Sequence, residues 1–201
     1  NLITGIACSY FDSIPTLHIA GQVNQNEKVI YKGAKVRQAG FQETDIVSMV
    51  KPITKYAVQV TTAEELKYEL AKAFKIAISG RMGPVLIDVP MDIQQLDVGE
   101  ELILPEDVLL DEIAPFKEEL KAKLLKFFEG SERPLVLFGA GVGLADQQKT
   151  LISWINDNNL PFVTSWNGMN FIDSSESGYY GNIGVYGNRG ANFILQSCDK
   201  L

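Results

Sequence analysis

Three glycines at alternate positions, Gly139, Gly141 and Gly143, stand directly after the apolar run Leu135-Val136-Leu137-Phe138. Such a turn lets backbone amides approach a phosphate closely, and a helix starting there adds positive potential. The same residues also suit a tight strand-to-helix turn that needs small side chains. The full G-x-G-x-x-G spacing is missing, because position 144 is Leu. A second series, Gly178, Gly181, Gly184, Gly187 and Gly190, follows the next apolar run, so two glycine-rich strand exits can face one crevice. His18, between Leu17 and Ile19, reads as a core or edge histidine rather than a catalytic one. Arg81 follows Gly80 and is either a solvated arginine complementing a helix dipole or a clamp on a phosphate or cofactor. Glu43 is either a base or a first-turn helix acid. Asp88 sits in an apolar run, where an unpartnered carboxylate is costly, so it needs a salt bridge or hydrogen bonds. There is no Ser-His-Asp set and no Cys-His pair, and the single histidine rules out a multi-histidine metal site.

Elements of alternating type must position these residues. Residues 1–11 carry Leu2, Ile3, Ile6, Ala7 and Tyr10 near helical spacing. Residues 15–20 predict a buried strand leaving through Gly21-Gln22-Val23 into a polar loop, the kind of exit where open α/β sheets place ligands. Residues 29–40 have no clean period and predict a long loop. A helix is predicted over 42–49, with Glu43 and Asp45 near its start, then a strand over 53–60. Thr62-Ala63-Glu64-Glu65 is a capping-box pattern. It opens a helix with the inward stripe Leu66, Leu70, Ala73, Phe74 and Ala77, closed by Gly80. Residues 84–89 are an apolar run bounded by turn signals, a strand buried on both faces. Residues 92–115 are acidic and proline-punctuated, a linker. Beyond it the construction repeats: a helix over 116–128, a strand over 135–138, a helix over 144–155, a strand over 161–164, a helix over 191–196, and a strand opening at Leu201. The fold class is α/β, with parallel sheets and right-handed crossovers in three-layer units.

The 201 residues are 46% apolar and 21% charged, ordinary for a globular protein of one to two domains. A net charge of −7 argues against nucleic acid as a partner, and no apolar run approaches a membrane span. Cys8 and Cys198 read as reduced core thiols, which points to the cytoplasm. The chain opens without methionine and closes at the start of a strand, so it reads as an internal piece of a longer polypeptide.

Several stretches are familiar in order. Gly80-Arg81-Met82-Gly83-Pro84-Val85-Leu86-Ile87-Asp88-Val89-Pro90-Met91-Asp92 resembles the GRPGPVLIDIPKD segment of thiamine diphosphate-dependent enzymes, especially the acetolactate synthase large subunits. Asn1-Leu2-Ile3-Thr4-Gly5-Ile6-Ala7, Asp12-Ser13-Ile14-Pro15 and Gly21-Gln22-Val23 are similar to that family's opening motif. Phe41-Gln42-Glu43-Thr44-Asp45 with Pro52-Ile53-Thr54-Lys55 is similar to its AFQE and PxTK segments. The resemblance implies that residues 1–95 are the second half of a pyrimidine-binding domain. Residues 96–115 would be a linker, and 116–201 the first part of a Rossmann-like central domain. It implies an enzyme that decarboxylates a 2-keto acid such as pyruvate and adds the resulting enamine to a second keto acid, in branched-chain amino acid biosynthesis. The implied assembly is a homodimer or homotetramer, and the implied cofactors are thiamine diphosphate with Mg2+, held mostly by residues outside this chain, and FAD. Phe41 and Gln42 match the active-site loop. Arg81, Gly139, Ala140, Gly141, Thr164, Ser165, Gly184, Val185, Tyr186 and Gly187 match flavin-contacting stretches; no metal ligand is implied here. Met82, Met91 and Val185-Tyr186 stand where that family has proline, lysine and Met-His. The contrasting reading is a non-catalytic nucleotide-binding α/β module built on the Gly139 turn. On either reading the 201-residue piece alone is expected to be inactive.

Overall fold

A computed structural model describes residues 1–27, 37, 38, 40–99, 105, 106, 108 and 118–201, the side chain of Glu118 excepted. Most of the loop expected over 29–40 and of the linker expected over 96–115 lies outside the described residues. The chain divides into two compact units, Asn1–Ile113 and Ala114–Leu201.

The first unit is built on β3 (Val85–Pro90), every residue of which is buried. It is the middle strand of a parallel sheet ordered β1-β3-β2, with β1 at Leu17–Gln22 and β2 at Tyr56–Gln59. The register sets Leu17 beside Val85 on one side and Tyr56 beside Val85 on the other. Side chains alternate across a strand, and here both faces are covered. Val85, Ile87 and Val89 pack with Val60, Ala73, Ala77 and Ile93 on the face of α3 (Ala63–Ile78). Leu86 packs with Ile6 of α1 (Leu2–Phe11) and Val50 of α2 (Ile46–Val50) on the other. That explains why the run is apolar but for Asp88, since a strand covered on both faces has no solvent side to mark with polar residues. Leu86 and Ile87 are 0% exposed, and each contributes about 1.5–3 kcal/mol of burial. A one-turn helix, α4 (Met91–Gln94), follows β3.

Three expectations need correction here. The inward stripe of α3 does not include Phe74, which is 58% exposed. Glu69 is buried instead, and its carboxylate accepts from the Tyr56 hydroxyl at 2.6 Å. Desolvation, reinforced by that bond to Glu69, pushes the Tyr56 phenol up. The helix expected over 42–49 begins only at Ile46, because Asp45 is its cap and accepts from the Ser48 N–H at 3.0 Å. Cys8 lies exposed on α1, not in the core; Cys198 is half-buried, and both are free thiols.

The end of α3 is held by a lysine. Lys55 Nζ donates to the Ile76 and Ser79 carbonyls, both at 2.6 Å. They lie at the C-terminal end of the helix, where carbonyls lack i+4 partners; the Ile76 carbonyl also accepts from the Ser79 N–H at 3.3 Å. Gly80 follows at φ +48, the left-handed position that ends a helix. Lys55→Met is expected to destabilise the first unit by about 2 kcal/mol, through the loss of charge-assisted bonds. Hydrogen exchange at the last turn of α3 would read this, and unchanged protection there would contradict it.

The second unit has a parallel sheet ordered β4-β5-β6, with strands Val136–Phe138, Phe162–Thr164 and Tyr179–Asn182. Leu135, Val163 and Ala191 pack with Ile194 and Leu195 of α8 (Arg189–Ser197) on one face. Phe162, Ile155 and Leu160 pack with Phe128 of α5 (Glu118–Phe128) and Leu151 of α7 (Gln148–Asp157) on the other. Strand β6 was not expected; Tyr179 is held there by stacking on Phe162 at 5.2 Å. The helix expected over 144–155 is two helices. A five-residue α6 (Ala140–Leu144) takes up the glycine turn, and the chain turns at Asp146 (φ 53) before α7. The dipole of a long helix is therefore not aimed at Gly139. The strand expected at Leu201 is present as a single parallel bridge, Pro134 to Lys200.

Asp199 ties the last described turn of this unit to residues before β4. Its carboxylate accepts from the Ser131 hydroxyl, from the Glu132 N–H at 2.8 Å and from the Arg133 N–H at 3.0 Å. These donors, the Ser131 hydroxyl foremost, lower its pKa from 3.8 to about 2. A depressed folded pKa stabilises above the unfolded value and is lost as the pH falls through the folded one. The clamp is expected to hold above about pH 4 and to open toward pH 2. Asp199→Asn should flatten the acid dependence of Glu132 and Arg133 amide exchange over that window, and an unaltered acid limb would refute the assignment.

Candidate functional site

Parallel α/β sheets present ligands at the carboxyl ends of their strands. In the first unit, those ends are laced together by carboxamides and carboxylates. Asp88, 1% exposed, accepts from Gln22 Nε2 at the end of β1 at 3.2 Å and from Gln59 Nε2 at the end of β2. Gln22 also donates to the Thr44 carbonyl at 2.7 Å. Asp92 accepts from the backbone and side chain of Gln25 at 3.3 and 3.2 Å, and Gln25 donates onward to the Thr61 carbonyl at 3.0 Å. A polar cavity of about 430 Å³ opens here, lined by Glu43, Thr44, Asp45, Val47, Gln59 and Asp88.

Phe41 and Gln42 sit beside this lattice. Phe41 is 83% exposed, and Gln42 adopts φ 60, a left-handed conformation that is costly for a side-chain-bearing residue. The flanking Gly40 is pressed against Val23, where a Cβ would come within 2.8 Å of a Val23 methyl. Glu43 is not a helix acid. Its carboxylate accepts from the Gly40 N–H at 3.0 Å and closes the loop on itself. His18 is half-buried on β1 with Thr16 Oγ1 at 2.9 Å, and burial pushes its pKa down, as expected of an edge histidine. Arg81 lies before the start of β3, at the opposite end of the sheet, and donates from Nε to Ser13 Oγ at 2.9 Å. The structure therefore does not bring Arg81 together with Phe41 and Gln42. Met91 is 48% exposed at the first position of α4.

In the second unit the exits of β4, β5 and β6 meet. Ser165 N–H donates to the Phe138 carbonyl at 3.0 Å, and Gly168 is so close that a Cβ would lie 2.6 Å from that same oxygen. Trp166 packs edge-on against Tyr186 at 6.0 Å, joining the loop after β5 to the loop after β6. Val185 and Tyr186 are 94% and 84% exposed on a turn that the Asn192 side chain brackets at Gly184 N and O, both at 3.0 Å. The strand exits of β4 and β6 are thus each linked to the loop after β5. Thr164 is fully buried, with its hydroxyl 3.0 Å from that of Tyr179, so its side chain is a core feature while Ser165 is the one at the rim. Trp166 escaped the sequence reading. Its signal was an aromatic directly after a strand end, where no core position remains for it.

The glycines of α6 separate the two readings of this turn. A Cβ on Gly143 would lie 2.1 Å from the Phe171 ring, so packing alone demands glycine there. A Cβ on Gly139 or Gly141 would meet nothing within 4 Å, and neither is in a left-handed conformation. Packing among the described residues gives no reason for these two glycines. The open space beside them fits close approach by an external group.

Among the described residues no group of three or more His, Cys, Asp and Glu could hold a metal ion, and no helix is long and apolar enough to cross a membrane. Residues 122–201 match the family described as thiamine pyrophosphate enzyme, central domain. The whole chain is 32% identical over 201 residues to acetolactate synthase isozyme 2 large subunit of Escherichia coli (strain K12), covering 100% of this chain and 35% of that protein. It is 34% identical over 206 residues to a probable acetolactate synthase large subunit of Methanocaldococcus jannaschii, covering 33% of it. It is 32% identical over 205 residues to an acetolactate synthase large subunit of Haemophilus influenzae, covering 34% of it. The chain spans about a third of the length of these curated relatives. With α/β sheets in both units, the chain is similar from end to end to acetolactate synthase large subunits, and its residues 122–201 match the central domain of thiamine pyrophosphate enzymes.

Proposed function

We propose that this chain is part of a thiamine diphosphate-dependent carboligase or decarboxylase acting on 2-keto acids, in the manner of acetolactate synthase. The observation that carries this is the unbroken similarity of all 201 residues to acetolactate synthase large subunits. On this reading residues 1–95 are the second half of the pyrimidine-binding domain, 96–115 a linker, and 116–201 the first part of the central domain. Bound thiamine diphosphate, with Mg2+, supplies the electron sink for decarboxylation. The chain's own part in the first unit is to present Phe41 and Gln42 at the sheet edge and to keep water away from the reacting carbon with the exposed Phe41 ring. A homodimer or homotetramer is the assembly this reading carries.

In the second unit the same reading assigns to FAD the residues Gly139, Ala140, Gly141, Thr164, Ser165 and the turn Gly184-Val185-Tyr186-Gly187. The open space at Gly139 and Gly141 supports it. The full-length protein, given thiamine diphosphate and Mg2+, is expected to release carbon dioxide from pyruvate or a related 2-keto acid. Absence of turnover across a panel of 2-keto acids would reject the catalytic reading. Flavin or ADP binding without turnover would favour a nucleotide-binding module.

A further inference from the structure

We propose that Asp88, acting through Gln22, is a positioning residue for the loop that carries Phe41 and Gln42. The tether is a matter of geometry; what the loop faces rests on the function proposed above. Asp88 lies on the central strand, 1% exposed, with an amide from each flanking strand on its carboxylate. The Gln22 amide is fully used. One N–H goes to Asp88 and one to the Thr44 carbonyl, while its oxygen accepts from the Val23 N–H at 3.1 Å. Turning that amide over would set its oxygen against two acceptors and its nitrogen against a donor. Both flanking amides donate to Asp88 Oδ2, so Asp88 selects the direction of Gln22, and that direction selects the Thr44 carbonyl.

Thr44 is where the loop becomes helix. Its carbonyl also accepts from the Ile46 N–H at 2.9 Å, at the start of α2. The other end of the loop is anchored at Gly40, wedged on Val23 and held by Glu43. Phe41 and Gln42 lie between these two anchors, exposed but bounded. A buried carboxylate is a poor choice for stability alone, since an apolar residue of similar size avoids its desolvation. Its use here is orientation.

The test uses the full-length protein and three changes. Asp88→Leu removes the Oδ2 acceptor that both amides share and frees Gln22 to turn. Gln22→Met removes the tether while Gln59 stays on the carboxylate. Asp88→Asn can keep an amide oxygen at the shared position and is the conservative comparison. Asp88→Leu and Gln22→Met are expected to speed amide exchange at Glu43 and Ile46 by about tenfold. Asp88→Asn is expected to keep exchange at Glu43 and Ile46, and kcat for the 2-keto acid, near those of the unchanged protein. Unchanged exchange in Gln22→Met, or exchange in Asp88→Asn as fast as in Asp88→Leu, would overturn the tether. The exchange arm needs no turnover, so a protein inactive on 2-keto acids that still shows these shifts counts against the proposed reaction and not against the tether.

Discussion

Gly143→Ala is expected to cost the second unit about 3 kcal/mol, and Gly141→Val, two residues earlier, close to nothing. At Gly143 the new Cβ would sit 2.1 Å from the root of the Phe171 ring, an atom that cannot swing away as a flexible chain end would. Phe171 would have to leave its site, and the short 3₁₀ turn Met169–Phe171 that carries it would move with it. At Gly141 the added Cβ meets nothing within 4 Å. Valine and glycine also differ little in helix propensity, by a few tenths of a kcal/mol. Exchange protection of β4 and β5 in the full-length protein separates the two. Equal protection in both variants would refute the packing argument. The same pair tests the cofactor. Gly141→Val fills the open space, so if FAD binds as proposed it is expected to bind at least about tenfold more weakly, equal to about 1.4 kcal/mol, in a protein that stays folded. A Gly141→Val protein that purifies with full flavin absorbance would move the flavin away from this turn.

Phe41→Ala is expected to lower turnover of the 2-keto acid about a hundredfold while leaving stability within about 0.5 kcal/mol. The ring is 83% exposed, so little burial is lost on folding. The loop's anchors are elsewhere, at Gly40 and Thr44, and persist without it. An aromatic this exposed, on a loop whose next residue is left-handed, gains little from burial, and such strain clusters at functional segments. Steady-state kinetics alongside chemical denaturation would decide. Unchanged kcat/KM would remove Phe41 from the site, and a large stability loss would show that the ring packs on something in the assembled protein.

How far these residues were legible depends on how local their causes are. The strand at 84–89, the helix opening at Thr62 and its end at Gly80 were readable because each rests on neighbours within a few positions. Thr62 Oγ1 accepts from the Glu65 N–H at 3.0 Å, as the pattern required. The carboxylate of Glu65 also reaches the Thr61 N–H at 2.6 Å, one residue before the cap. The depth of Phe74 was misread because it lies one position off the line through Leu70, Ala73 and Ala77. Strand β6 was hidden because Gly181 and Asn182 mimic a loop, and its pairing partner Phe162 lies well before it. The glycine turn was ambiguous in sequence because both readings need small residues, and Phe171 settled it for Gly143 alone.

The sequence by itself determined the alternation of strands and helices, the central apolar strand, the two glycine-rich exits and the family resemblance. All of these follow from residue type and short-range order. Only the tertiary structure decided that Asp88 belongs to a lattice with Gln22 and Gln59, that Arg81 lies at the far end of the sheet from Phe41, and that Trp166 meets Tyr186. The Asp88–Gln22 bond joins residues 66 positions apart. Such a contact is set by strand order and register, which place β3 between β1 and β2, and no local propensity encodes that order.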